Sequence, residues 1–346
     1  MLPYFFILFV VIFWIWIEKE CLSRKAIFLP LLFLVAFFSI RDFSVGTDTI
    51  VYTENFRNSL SSDYYDFNLE VEFGYQLVEF FLLKFTNNYF WLFLIYGFFV
   101  ILFYFITIKR LSKNYILSVF IYIVFGFYTF LFNGLRQGIA MAICFLALPY
   151  FINKNSIKYF ILIGVASLFH ISAWIMFPLY LLIHTKFRLE YKMLFIFISS
   201  FMFSGLLITY LAEDNSRYLS YAQPDYNGGG YFLLAFYILL GVLIYFLGKK
   251  ERFLNHNYSI FEQIYLCGLL FIIPIALLGV NPSGPQRILN YFTPMLIFLI
   301  PILMEKFKTN LILYIFSILM LLFFYLTTSR FSNLTPYVIN PIFEVF

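Results

Sequence analysis

The chain has 346 residues, of which 63% are hydrophobic and only 12% charged, with a net charge of +5. A water-soluble protein of this length could not cover that much apolar surface with so few polar side chains, so composition excludes that class. Runs such as "MLPYFFILFVVIFWIWI" lack period-two alternation, which excludes a transmembrane β-barrel and leaves an all-α polytopic membrane protein.

In chain order the apolar runs are Leu2–Ile17, Ala26–Ser39, Tyr89–Ile108, Tyr115–Phe132, Leu135–Ile152, Ile157–Ile183, Met193–Leu211, Gly230–Leu247, Tyr258–Val280, Ile288–Met304 and Leu311–Thr327. The first has no basic flank before it and no small-residue cleavage site after it, so it reads as a retained span. Ile157–Ile183 is 27 residues long, where about 20 suffice to cross. It is either one tilted helix or two short spans turning near "LFHIS", as a full hairpin or with re-entrant halves.

Lysine and arginine mark cytoplasmic loops, and they arbitrate. With a turn in that run there are about 12 spans, both termini lie outside, and 16 of the 23 basic residues fall inside. With a single span the split is 11 inside against 12 outside. The turn is therefore expected. The whole chain is then one integral membrane domain with three outer pieces: 41–88, 212–229 and the tail 328–346. The inner loops are short and basic, with no nucleotide-binding loop.

The first outer piece, "RDFSVGTDTIVYTENF" and onward to Asn88, has 48 residues with eight acids and three bases. Within it, "EFGYQLVEFFLLKF" sets Glu72, Gln76 and Glu79 on one helical side and Phe73, Leu77 and Phe80 on the other. That pattern predicts a helix lying on the outer membrane surface.

Six of the seven outer bases are arginine, whereas lysine dominates the inner loops. A guanidinium offers a fixed fork of donors that matches phosphate oxygens in pairs. Arg136 in "FNGLRQGIAMAI" and Arg287 in "VNPSGPQRILNYF" each follow a glycine-containing turn at a helix start. A cation there opposes the helix dipole, so both read as anion-binding candidates, against a plainer reading in which they snorkel to lipid headgroups. Arg41 closes its helix instead, where a cation is favourable anyway. His170 interrupts "GVASLFHISAW" at membrane depth and is a functional candidate on that ground, with a neutral histidine bonded to a freed carbonyl as the alternative. Tyr52, Tyr64, Tyr65, Tyr75 and Tyr221 lie in the outer pieces, where interfacial anchoring accounts for tyrosines. The three cysteines (Cys21, Cys144, Cys267) are dispersed, and neither they nor the histidines have metal-ligand spacing; no metal and no cofactor is expected.

"RDFSVGTDTIVY", "EFGYQLVEFFL" and "NGLRQGIAMAICFLALPYFINKNSIKYFILIGVASLFHISAWIMFPLYLL" together resemble the EpsG-like group of bacterial polysaccharide polymerases, relatives in role of the Wzy O-antigen polymerases. The resemblance spans Arg41 to Leu182 in the order R-x-x-x-x-G-T-D, E-x-G-Y, L-R-Q, F-H-x-S. It implies a GT-C-like glycosyltransferase of the bacterial inner membrane that uses neither metal nor nucleotide donor. Such an enzyme joins oligosaccharide repeat units carried on undecaprenyl pyrophosphate at the periplasmic face. It also implies a chain-length regulator of the Wzz type as partner, and no nucleic acid. By matching position, the resemblance makes Arg41, Asp48, Glu72, Arg136 and His170 site candidates; Arg287 joins them from helix geometry alone. Asp48, Glu72 and His170 are the available bases, and Arg41, Arg136 and Arg287 the binders of pyrophosphate, with Tyr52 and Tyr75 for sugar. A lipid-linked oligosaccharide flippase, an O-antigen ligase and a membrane acyltransferase are the alternatives.

Overall fold

A computed structural model describes residues 1–214, 230–278, 284–307 and 309–343. Most of the expected outer loop 212–229, with Arg217 and Tyr221, lies outside the described residues. The described chain is helical, without a β-strand; an isolated antiparallel bridge joins Arg41 to Ile339. Four described helical stretches are long and apolar enough to cross a membrane: Phe90–Leu111, His256–Leu277, Pro285–Met304 and Leu311–Arg330. With the shorter apolar helices between them, this is the build of a polytopic membrane protein. The chain divides into two compact units, Met1–Tyr150 with Asn155–Trp174 and Phe307–Phe346, and Phe151–Lys154 with Ile175–Lys306.

The first unit contains α1 (Leu2–Leu22), α2 (Phe28–Ser39), α3 (Thr49–Arg57), α4 (Phe73–Leu83), α5 (Phe90–Leu111), α6 (Tyr115–Val124), α7 (Phe127–Phe130), α8 (Leu135–Leu146) and α10 (Ser156–Ser167), with α9 (Leu148–Ile152) crossing its boundary. Its core is a row in which α1 packs on α2, α2 on α5, α5 on α8, and α8 on α10. Gly97 of α5 lets α2 approach closely: a Cβ there would stand 2.6 Å from the Phe38 ring. Two helix starts carry side-chain caps, Asn114 accepting from Leu117 N at 3.1 Å and Asn155 from Lys158 N at 3.3 Å.

Several of the apolar runs are not continuous α-helices. Tyr115–Phe132 stops at Phe125, where Gly126 takes a left-handed φ of 82°. Leu135–Ile152 stops at Ala147, because Pro149 has no N–H for the Phe145 carbonyl. Ile157–Ile183 is interrupted at Leu168–His170, between α10 and a 3-10 turn Ile171–Ile175, so the single long helix is excluded.

The tail of the chain belongs to the first unit and follows α17 (Asn310–Arg330). It straps over the start of the segment 41–88. Asp42 N donates to Val338 O at 2.9 Å, Asn340 N to Ile40 O at 2.8 Å and Gly46 N to Asn333 O at 2.9 Å.

The second unit holds α11 (Met176–Ile183), α12 (Leu189–Asp214), α13 (Tyr231–Leu247), α14 (Lys249–Leu254), α15 (His256–Leu277) and α16 (Leu296–Met304). The central α15 packs against α12, α13 and α16. On it Glu262 is fully buried and takes a two-point ion pair from Arg252, at 2.6 and 2.8 Å.

Candidate functional site

The segment 41–88 is organised from α4. Gln76 holds the loop before that helix: its Nε2 donates to Asn68 O at 2.8 Å and Val71 O at 2.6 Å, while Asn68 N donates to its Oε1 at 2.7 Å. Glu72 is thereby fixed at the N-cap in extended backbone, and its carboxylate makes no cap bond with its own helix. It reaches outward to α8 instead, where Arg136 Nη1 donates to its Oε2 in an ion pair of which both members are mostly buried.

His170 approaches the same carboxylate, with its Nε2 4.0 Å from Glu72 Oε1. The Ser172 backbone N–H at 3.3 Å and the Ser172 hydroxyl at 2.6 Å both reach the histidine Nδ1. A ring nitrogen that takes a backbone N–H is an acceptor, so the neutral imidazole carries its proton on Nε2, toward Glu72. The E-x-G-Y glycine explains how the two stretches meet. Gly74 N donates to Leu168 O at 2.7 Å, and a Cβ on residue 74 would lie only 2.8 Å from that oxygen. Backbone meets backbone, which only glycine allows.

Arg136 is held from a third direction. Tyr52 on α3 shares a side-chain hydrogen bond with it, and the Tyr75 ring lies 5.9 Å from its guanidinium carbon. The Tyr52 and Tyr75 rings are 5.8 Å apart and both are buried. They therefore support the arginine and present no open ring to a sugar.

Behind them sits Glu79, only 4% exposed. Its carboxyl accepts from Tyr65 at 2.7 Å and Tyr75 at 3.4 Å, and Asn55 adds a third bond. Burial pushes this carboxyl above its ordinary value, although the bonds from Tyr65, Asn55 and Tyr75 and the nearby Arg136 oppose the rise. The same burial, reinforced by Glu79, pushes the Tyr65 hydroxyl up.

The polar side of α4 is thus its inward side, contrary to the surface-helix expectation. Gln76 and Glu79 are buried while Phe73 and Phe81 are exposed. Glu79, Gln76 and Ser172 were missed as site components. The spacing of Glu72, Gln76 and Glu79 placed them on one face, but nothing in the local pattern said that the face was covered by protein.

The "R-x-x-x-x-G-T-D" stretch docks beside this cluster. Thr47 donates from its N (2.6 Å) and hydroxyl (3.1 Å) to Asn133 Oδ1, just before the "LRQ" turn. Gly46, at φ 105°, has no room for a Cβ, which would lie 2.8 Å from Phe132 O. Asp48 begins α3 and stands one turn before Tyr52, its carbonyl accepting from Tyr52 N at 3.3 Å.

Arg41 is elsewhere. It is fully buried among the Phe38, Phe93 and Phe132 rings, 3.8–4.6 Å from their centroids, and donates to Phe38 O at 2.7 Å. Its stacked guanidinium lies in the core of the first unit, and its Nε and Nη2 are buried without a hydrogen-bond partner among the described residues. Arg287 lies in the second unit, half-buried in the 3-10 turn Pro285–Tyr291 after Gly284. Among the described residues no three His, Cys, Asp or Glu side chains are gathered so as to hold a metal ion.

On a scaffold of short and broken apolar helices, in a polytopic membrane protein, the fold gathers the carboxylate of Glu72 before α4, the guanidinium of Arg136 on α8 and the imidazole of His170 after α10. The EpsG family model matches residues 24–339, nearly the whole chain, and the protein belongs to that family, which is Wzy-type and polymerase-like. No curated protein and no solved structure matches the chain.

Proposed function

We propose that the protein is a polysaccharide polymerase that joins oligosaccharide repeat units carried on undecaprenyl pyrophosphate, by glycosyl transfer at the periplasmic face of the bacterial inner membrane. In this reading it has about twelve spans in a GT-C-like arrangement and works beside a chain-length regulator. The observation that carries the proposal is the placement of Glu72 between Arg136 and His170, three groups brought from three distant stretches.

The chemistry needs a base and a stabiliser of the leaving group. An acceptor sugar hydroxyl gives its proton to Glu72, and its oxygen attacks the anomeric carbon of the donor unit. The bond from that carbon to the pyrophosphate oxygen breaks, and its electron pair stays on the pyrophosphate. Protonated Glu72 no longer neutralises Arg136, so the guanidinium is released to hold the charge that has just formed. His170 Nε2–H supplies a second donor beside it. Tyr52 and Tyr75 keep Arg136 in place through this exchange. Asp48 and Arg287 have no step in this scheme.

The test is elongation of lipid-linked repeat units by the purified protein in EDTA, compared with the glycans of a strain lacking it. The wild-type protein should form polymer without metal, and Glu72→Gln should not. In the deletion strain, single repeat units on the final acceptor are expected. A complete absence of surface glycan in that strain would favour the flippase or ligase reading, and metal-dependent elongation would overturn the scheme.

A further inference from the structure

The first unit has a second feature of interest at the opposite end of the same helices, roughly 15 Å along α8 from Arg136 at 1.5 Å per residue. A cavity of about 180 Å³ opens there between the end of α5, the break after α8 and the body of α10. Ile106, Leu146, Pro149 and Leu162 give it a mostly apolar lining, completed by Thr107, Tyr150 and the exposed Arg110. The α8 break creates it, since Pro149 keeps the chain from continuing as one helix against its neighbours.

The surface beside it is positively charged. Arg110 and Lys158 are both exposed, and the Lys158 ammonium lies 5.7 Å from the Tyr150 ring centroid. Neither base has an ion-pair partner among the described residues. Lys109 and Lys113 flank them, and no acid occurs in 109–113 or 153–158. The nearby carboxylate, Glu18, is already bonded by Arg24 at 2.6 Å and Trp14 at 2.6 Å. Beyond the wall, exposed Ile157 and Ile161 continue the apolar surface along α10.

We propose that this groove binds one anionic phospholipid of the surrounding bilayer. The acyl chain lies against Ile106, Leu146 and Leu162, and the headgroup phosphate rests between Arg110 and Lys158. An apolar lining that continues into exposed Ile157 and Ile161 calls for a lipid tail, and two unneutralised bases beside it call for a net negative headgroup. A zwitterionic headgroup would bring its own cation to the same place. The inference does not depend on the polymerase reading.

The experiment uses the full-length protein in neutral detergent, with phosphatidylglycerol and phosphatidylcholine as probes and bound lipid counted by native mass spectrometry. Wild-type protein should retain phosphatidylglycerol in preference to phosphatidylcholine. Each surface base contributes about 5-fold, so Arg110→Gln with Lys158→Gln should erase roughly 30-fold of that preference. Both bases are exposed, so their loss leaves the fold intact. Leu162→Trp fills the groove with the bases in place and should weaken retention of both lipids. Glycerol 1-phosphate should not compete. Equal retention of the two lipids by the wild type, an unchanged preference in the double variant, or full displacement by glycerol 1-phosphate would each overturn the proposal.

Discussion

Gly74→Ala tests how the site is assembled. A methyl group on residue 74 would lie 2.8 Å from Leu168 O and 3.1 Å from Leu168 C. Ordinary contact begins near 3.4 Å, so α4 and the end of α10 must part by about 0.6 Å, and the 2.7 Å bond from Gly74 N to Leu168 O must stretch. Overpacking of this kind costs about 1–3 kcal/mol. Glu72 and His170 each sit two residues from the contact, so their 4.0 Å separation widens with it. A displacement of ~1 Å can cost about 100-fold in rate, and this smaller shift should cost roughly 10-fold. Gly164→Ala is the control, since it lies on α10 with no atom within 4 Å of its Cβ position. It should be neutral or gain up to about 1 kcal/mol in helix propensity. Both variants can be compared by thermal unfolding of purified protein and by polymer yield in a complemented deletion strain. A Gly74→Ala protein that melts and polymerises like wild type would refute the close-approach argument.

Arg136→Lys keeps the charge but cannot serve Glu72, Tyr52 and a phosphate with one planar fork, so turnover should fall roughly 100- to 1000-fold at normal protein level; near-normal polymer would return Arg136 to headgroup anchoring. Burial raises the folded pKa of Glu79 above its ordinary 4.5, so its stabilising contribution is complete below 4.5 and is lost as pH climbs through the raised value. Glutamine mimics the protonated acid, so the unfolding temperature of Glu79→Gln relative to wild type should rise with pH over that window. A difference that does not change with pH would contradict the buried-acid account. Single cysteines at Lys186 and Ser156 in a cysteine-free background should both resist an impermeant periplasmic reagent. Labelling at 186 alone would reverse the sides assigned after His170.

Much of the site was legible as a list of residues. Glu72, Arg136 and His170 stand in the motif order E-x-G-Y, L-R-Q, F-H-x-S, and they meet in the fold. Their neighbours were harder to read, because Glu79 and Gln76 look like ordinary solvated charges of a loop until Tyr65, Tyr75 and Asn55 cover them. Arg41 shows how little the motif says of burial. Its place beside a G-T-D turn suggested ligand binding, yet Phe38 of α2, Phe93 of α5 and Phe132 of the turn after α7 enclose it.

Composition by itself determined the class of this protein, since 63% apolar residues cannot be buried by a chain with 12% charged ones. The order of the apolar runs set most helix positions, and Pro149 and Gly126 mark two of the breaks. The inward face of α4 was decided only in three dimensions. In water an apolar face points to the core, but in a membrane protein both lipid and protein interior accept apolar side chains, so the pattern alone cannot orient a helix. The ion pair of Glu72 with Arg136 spans 64 residues. Contacts of that range depend on close backbone approaches, such as Gly74 on Leu168, that no local periodicity encodes.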